Sequence, residues 1–83
     1  MQFEFRTKGT CSQMIFFTVE DVLVHNVEFM GGCNGNLQGI GKLVEGMPID
    51  EVITRLEGIR CGMKPTSCPD QLANALKKAK EKL

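Results

Sequence analysis

The hydrophobic period of this chain changes once, at Gly31, and that change does most to limit what it can fold into. Before it, Phe3 and Phe5 alternate with Gln2, Glu4 and Arg6, and Met14 to Val19 is rich in β-branched and aromatic residues. A period of two marks a strand with one packed face. Glu20 and Asp21 interrupt the pattern and Val22 to Met30 resumes it, which predicts a hairpin and three antiparallel strands in all. The segment Gly31-Gly32-Cys33-Asn34-Gly35-Asn36 then reads as a tight loop, and helical spacing begins straight after it.

Leu37, Ile40 and Val44, with Leu43 beside them, give the stripe of a first helix packed on a sheet, ended by Gly46. Gly39 and Gly41 inside it each cost about 1 kcal/mol relative to Ala, so they are expected where the backbone approaches a neighbour closely. Pro48 suits the first position of a second helix, with Asp50 and Glu51 in its first turn, Val52, Ile53 and Leu56 facing inward, and Gly58 at its end. The third helix is expected to start at Pro69, with Leu72, Leu76, Ala79 and Leu83 on one stripe. Lys77, Lys78, Lys80 and Lys82 complement the negative end of its dipole and read as a solvated helix end. The predicted fold is α+β, a three-stranded antiparallel sheet followed by three helices (β-β-β-α-α-α) within a single domain over residues 1–83.

A domain of 83 residues buries about 60 to 65% of the surface its unfolded chain exposes, so the core is thin and a metal cross-link would add usefully to it. Ten basic residues balance ten acidic ones, and the only aromatics are five Phe, which argues against a nucleic-acid groove. Met1 to Gly9 holds no continuous hydrophobic stretch, so neither a secretory signal nor a membrane span is expected, and a cytoplasmic protein is. Thiols stay reduced there, so the four cysteines point to metal binding or redox chemistry before a disulfide framework.

Cys33 follows Gly32, Cys61 precedes Gly62, and Cys68 precedes Pro69, boundary settings that suit ligands better than core residues. Cys68 is the most informative. The residue before a proline is pushed out of the helical region, so Cys68 is expected as the cap of the third helix, where the positive dipole end favours a thiolate. Cys11 precedes the second strand. The spacing is not a double C-x-x-C, and three readings stay open: a four-thiolate zinc or iron–sulfur site, a thiol–disulfide pair, or unligated structural cysteines. His25 shares the strand parity of Leu23, Val27 and Phe29 and is read as a satisfied structural residue outside the site. The glycines from Gly31 to Gly41 spell no phosphate loop, and no Ser-His-Asp or paired-carboxylate arrangement is present, so no catalytic residue is assigned.

Thr66-Ser67-Cys68-Pro69-Asp70 resembles the signature of the TSCPD domain, and Gly58-Ile59-Arg60-Cys61-Gly62 and Asp70-Gln71-Leu72-Ala73 fit it too. The Gly32 to Leu37 segment and the stretch from Leu43 to Met47 extend the resemblance over the chain from about Phe29 onward. The domain occurs as a short free-standing protein and as the C-terminal appendage of adenosylcobalamin-dependent ribonucleotide reductases. The resemblance therefore implies a link to deoxynucleotide synthesis and an accessory part rather than a complete reductase, whose radical chemistry needs a large barrel. Three strands followed by helices also resembles U-type iron–sulfur cluster scaffolds, whose three cysteines correspond in place to Cys11, Cys33 and Cys68. Gln13 stands where that pattern has an aspartate and Ser67 where many members have a histidine, groups tied to a transferable cluster. With Cys61 as fourth ligand, a complete thiolate set favours a closed or tightly held site.

The leading expectation is thus a binding module in which Cys11, Cys33, Cys61 and Cys68 hold zinc or an iron–sulfur cluster, in the service of ribonucleotide reductase or another protein partner. The alternatives are thiol–disulfide exchange with a reductase through Cys61 and Cys68, or docking of a nucleotide or protein without metal.

Overall fold

The elements follow the predicted order: β1 (Gln2–Arg6), β2 (Ser12–Glu20), β3 (Leu23–Gly31), α1 (Asn34–Val44), α2 (Ile49–Leu56) and α3 (Cys68–Lys80). The structure is a computed structural model that describes residues 1–10, 12–32 and 34–83. The strands form an antiparallel meander in the order β1-β2-β3. Facing pairs Phe3 and Phe17, Phe5 and Ile15, and Ile15 and Phe29 share one face, and the rings of Phe3 and Phe17 stack with centroids 5.4 Å apart. Against that face α1 packs on β3 and α3 on β2, with α2 against α3. Ile15, Val24, Val52, Leu72 and Leu76 are fully buried where these layers meet. Each such side chain contributes about 1.5 to 3 kcal/mol by leaving water, and this small set carries the core.

Two backbone irregularities change which residues face it. The hairpin between β2 and β3 turns on Asp21 and Val22, both with positive φ, 51° and 59°. This is the left-handed pair that matches the twist of a tight hairpin. Val22, expected to open the third strand, is therefore in the turn and 60% exposed. Further on, the register shifts between Phe16 and Thr18 and Asn26 takes φ 56°. The extra residue reverses the alternation, so Val24, Val27 and Phe29 share the packed face while His25 lies opposite Thr18 on the other. His25 does not share the face of Val27 and Phe29, contrary to its sequence parity, although it is satisfied: its Nδ1 lies 2.6 Å from Glu45 Oε2.

The helices keep their predicted stripes with four adjustments. α1 begins at Asn34, so Asn34-Gly35-Asn36 is helical rather than loop. Packing on β3 outweighs the poor propensity of those residues. Leu43 is 79% exposed, outside the buried stripe of Leu37 and Val44. Pro48 caps α2 rather than filling its first turn. Leu83 lies beyond the end of α3 and is 57% exposed, because the helix stops at Lys80.

Gly41 does mark a close approach, since a Cβ there would meet the Val27 carbonyl oxygen at 2.8 Å, whereas Gly39 has open space around it. The chain between α1 and α2 bonds the start of the outer edge of β3: Gly46 donates to Val24 O at 2.7 Å, Val24 to Met47 O at 2.9 Å and Ile49 to Val22 O at 2.9 Å. No helix among the described residues is long and apolar enough to cross a membrane.

Candidate functional site

The first turn of α3 is where the sequence motif becomes a structure. Ser67, in extended conformation, is the N-cap, and its hydroxyl accepts from the Asp70 amide at 3.1 Å while donating to the Ile59 carbonyl at 2.6 Å. Cys68 is thus the first helical residue and Pro69 the second, one place later than the proline rule alone suggests. Proline needs no amide hydrogen bond at either place, so the helix accepts the shift.

The residues around Ser67 tie the preceding loop to this turn. Thr66 donates to Asp70 Oδ2 at 2.5 Å, and the other Asp70 oxygen accepts the Gly58 amide at 2.7 Å. Gln71 donates from Nε2 to Thr66 Oγ1 at 3.0 Å and accepts the Lys8 amide on Oε1 at 3.2 Å, reaching the segment between β1 and β2. The Thr66 hydroxyl and the Gly58 amide hold the Asp70 carboxyl below its ordinary value, helped by Lys77 and Arg60, against an opposing effect of partial burial. One helix start therefore anchors residues from 8 to 66.

Of the predicted ligands, Cys68 is buried, 7% exposed, and its Sγ lies 3.1 Å from Ser12 Oγ at the start of β2. Ser12 in turn pairs with Gly31 at the end of β3, and its Oγ is 3.1 Å from Thr10 Oγ1. The Cys68 thiol thus sits in the first turn of α3, at the positive end of the helix dipole and in contact with the Ser12 hydroxyl, in a buried position. Cys61 carries a free, exposed thiol in the loop before α3, its amide donating to Thr66 O at 3.2 Å. Cys11 and Cys33 lie outside the described residues. Among the described residues no three Cys, His, Asp or Glu side chains gather as a metal site, and two of the four candidate ligands are not among them.

Ser12 and Thr10 beside Cys68, and the bridging roles of Thr66 and Gln71, are the parts sequence reasoning did not assign. The Ser12–Cys68 and Lys8–Gln71 contacts span 56 and 63 residues, beyond any local pattern, whereas Thr66 meets Asp70 and Gln71 four and five residues on, within the motif itself. A signal for the former was the cluster of short polar residues around Cys11 and Cys68.

The model of the TSCPD domain family matches residues 2–80 of the chain. No curated protein and no solved structure matches it significantly.

Proposed function

This chain belongs to the TSCPD domain family, and from that premise we propose that it is a thiolate metal-binding module in which Cys11, Cys33, Cys61 and Cys68 hold one zinc ion or iron–sulfur cluster. The observation that carries the reading is the contact between Ser12 and Cys68. Ser12 is the residue after Cys11, and its strand partner Gly31 lies two residues before Cys33, so the stretches bearing three of the cysteines meet at one corner of the fold. The donor chemistry fits such a group, since Cys68 sits in the first turn of α3, at the positive end of its dipole, and Cys61 belongs to the loop that Ser67 and Asp70 hold against α3.

A bound metal would supply a cross-link among thiolates. The chain's own residues do the positioning: Ser67 and Asp70 fix the loop, and the hydrogen bond between Ser12 and Cys68 orients the sulfur. The family's occurrence on adenosylcobalamin-dependent ribonucleotide reductases supplies the partner class, and the module is proposed as an accessory to such an enzyme.

Metal analysis with an absorption spectrum, on protein purified without oxygen or affinity metals, tests the reading. Stoichiometric zinc, or iron with a sulfur-to-iron charge-transfer band, is expected, and Cys68→Ser is expected to lower metal content and thermal stability together. Folded, metal-free protein with every thiol titratable would overturn it. The exposed free thiol of Cys61 favours a second reading, disulfide exchange with a reductase. A count of titratable thiols that rises on treatment with thioredoxin would then replace the metal reading.

A further inference from the structure

The lysines near the end of α3 divide into two rows. Lys77 pairs with Glu57 at 2.7 Å and Lys80 pairs with Asp50, so the row facing α2 is neutralised. Lys78 and Lys82 lie instead on the β1 side and line a groove between that strand and α3, with the Lys78 ammonium 5.4 Å from the centre of the Phe5 ring. Arg6 and Lys8 continue the lining toward the start of the helix. Among the described residues, none of these four cations takes part in an ion pair. Glu4 is the one carboxylate along the groove's lining. The chain's formal charge is zero, so this is a local excess set against neutralised surroundings.

The groove runs beside an unused strand edge. Thr7 donates to Gln13 O at 3.1 Å and Val19 to Met1 O at 2.9 Å, which fixes the odd-numbered residues of β1 as those bonded to β2. In an antiparallel pair the intervening residues turn their main-chain groups the other way, so the N–H and C=O of Gln2, Glu4 and Arg6 point away from the sheet. The opposite edge differs in its first half, where Val22 to Asn26 are bonded by residues 46–49 and by Glu45, which accepts the Asn26 amide at 2.9 Å. An open edge is a template for another strand. Its five residues span about 17 Å, and the flank of α3 from Gln71 to Lys80 is of similar length, roughly 15 Å.

We propose that the β1 edge docks an extended acidic segment of a protein partner as a fourth strand, its alternate carboxylates facing Lys8, Lys78 and Lys82 and their methylene stems lying over Phe3 and Phe5. Main-chain pairing supplies the register and the cations select the partner's charge. The site includes neither Cys61, Cys68 nor Ser12, meets the network at the start of α3 only at Gln71, and holds whether or not the cysteines carry metal.

The probe is an acetylated, fluorescein-labelled six-residue peptide alternating glutamate and valine, titrated into the full chain and followed by anisotropy and by amide hydrogen exchange. Saturable binding that weakens with salt is expected, with slowed exchange at Gln2, Glu4 and Arg6. The double variant Lys8→Glu, Lys82→Glu, whose side chains make no ion pair, is expected to weaken binding about tenfold or more. Lys42→Glu, on α1 against β3 at the other side of the sheet, is expected to leave it unchanged. A peptide N-methylated at alternate amides should not bind. Equal binding of a lysine–valine peptide, an equal loss in Lys42→Glu, or undiminished binding of the methylated peptide would each overturn the proposal. So would absence of binding, or edge amides already protected in peptide-free protein that sediments as a dimer, which would mean that a second copy covers the strand.

Discussion

Asp70 is the residue on which the loop before α3 turns, and its removal has a calculable cost. Its carboxylate accepts from the Thr66 hydroxyl at 2.5 Å and from the Gly58 amide at 2.7 Å. Hydrogen bonds to a charged group contribute about 1.5 to 3 kcal/mol each when buried. Here one partner is exposed and water replaces part of what is lost, so Asp70→Ala is expected to destabilise the fold by about 2 kcal/mol in total. For a domain of this size that lowers Tm by about 8 to 16 °C.

Linkage gives a second signature. The folded carboxyl is held below the ordinary 3.8, so its contribution is fully present above that value and is lost as pH falls through the folded pKa. Asp70→Asn should therefore remove part of the wild type's stability loss below about pH 4. Urea unfolding of the wild type and both variants, from neutral to acid pH, measures both effects. A cost under about 0.5 kcal/mol for Asp70→Ala, of the size seen at ordinary surface positions, would refute the clamp. So would identical acid sensitivity in Asp70→Asn and the wild type.

Three further substitutions test other parts of the argument. Gly41→Ala gains about 1 kcal/mol of helix propensity but drives a methyl to 2.8 Å from the Val27 carbonyl, so a net loss of about 1 to 2 kcal/mol is expected in denaturant unfolding. Ser67→Ala removes the N-cap and the bond to Ile59 together, and calorimetry should show a loss of about 1 to 2 kcal/mol. Val22→Gly should instead stabilise the chain by about 0.5 to 1 kcal/mol, because an exposed β-branched residue at φ 59° is strained and glycine is not; an unchanged or lower Tm would count against the strain.

The alternation of Phe3 with Phe5 and the spacing of Leu72, Leu76 and Ala79 made the strands and the buried face of α3 legible, because each period maps onto one face of one element. The parity of His25 misled for the same reason: alternation assumes an unbroken ladder, and the extra residue at Asn26 breaks it. Leu43 looked like a member of the α1 stripe only because a one-residue step cannot distinguish the edge of a helical face from its outside. At the site, Cys68 was singled out by its proline neighbour, yet the cap belongs to Ser67, since a serine hydroxyl can accept the third amide and a thiol does so poorly.

The sequence by itself determined the element order, the family motif and the cysteines as the residues of interest, all of them consequences of local period and of short spacing. Tertiary structure alone decided that Ser12 meets Cys68 across 56 residues, that Gln71 reaches the Lys8 amide across 63, and that the lysine run divides between a row paired with α2 and one facing β1. These depend on which surfaces the packed core brings together, and buried polar groups must find partners wherever the fold puts them, a requirement no local stretch of chain encodes.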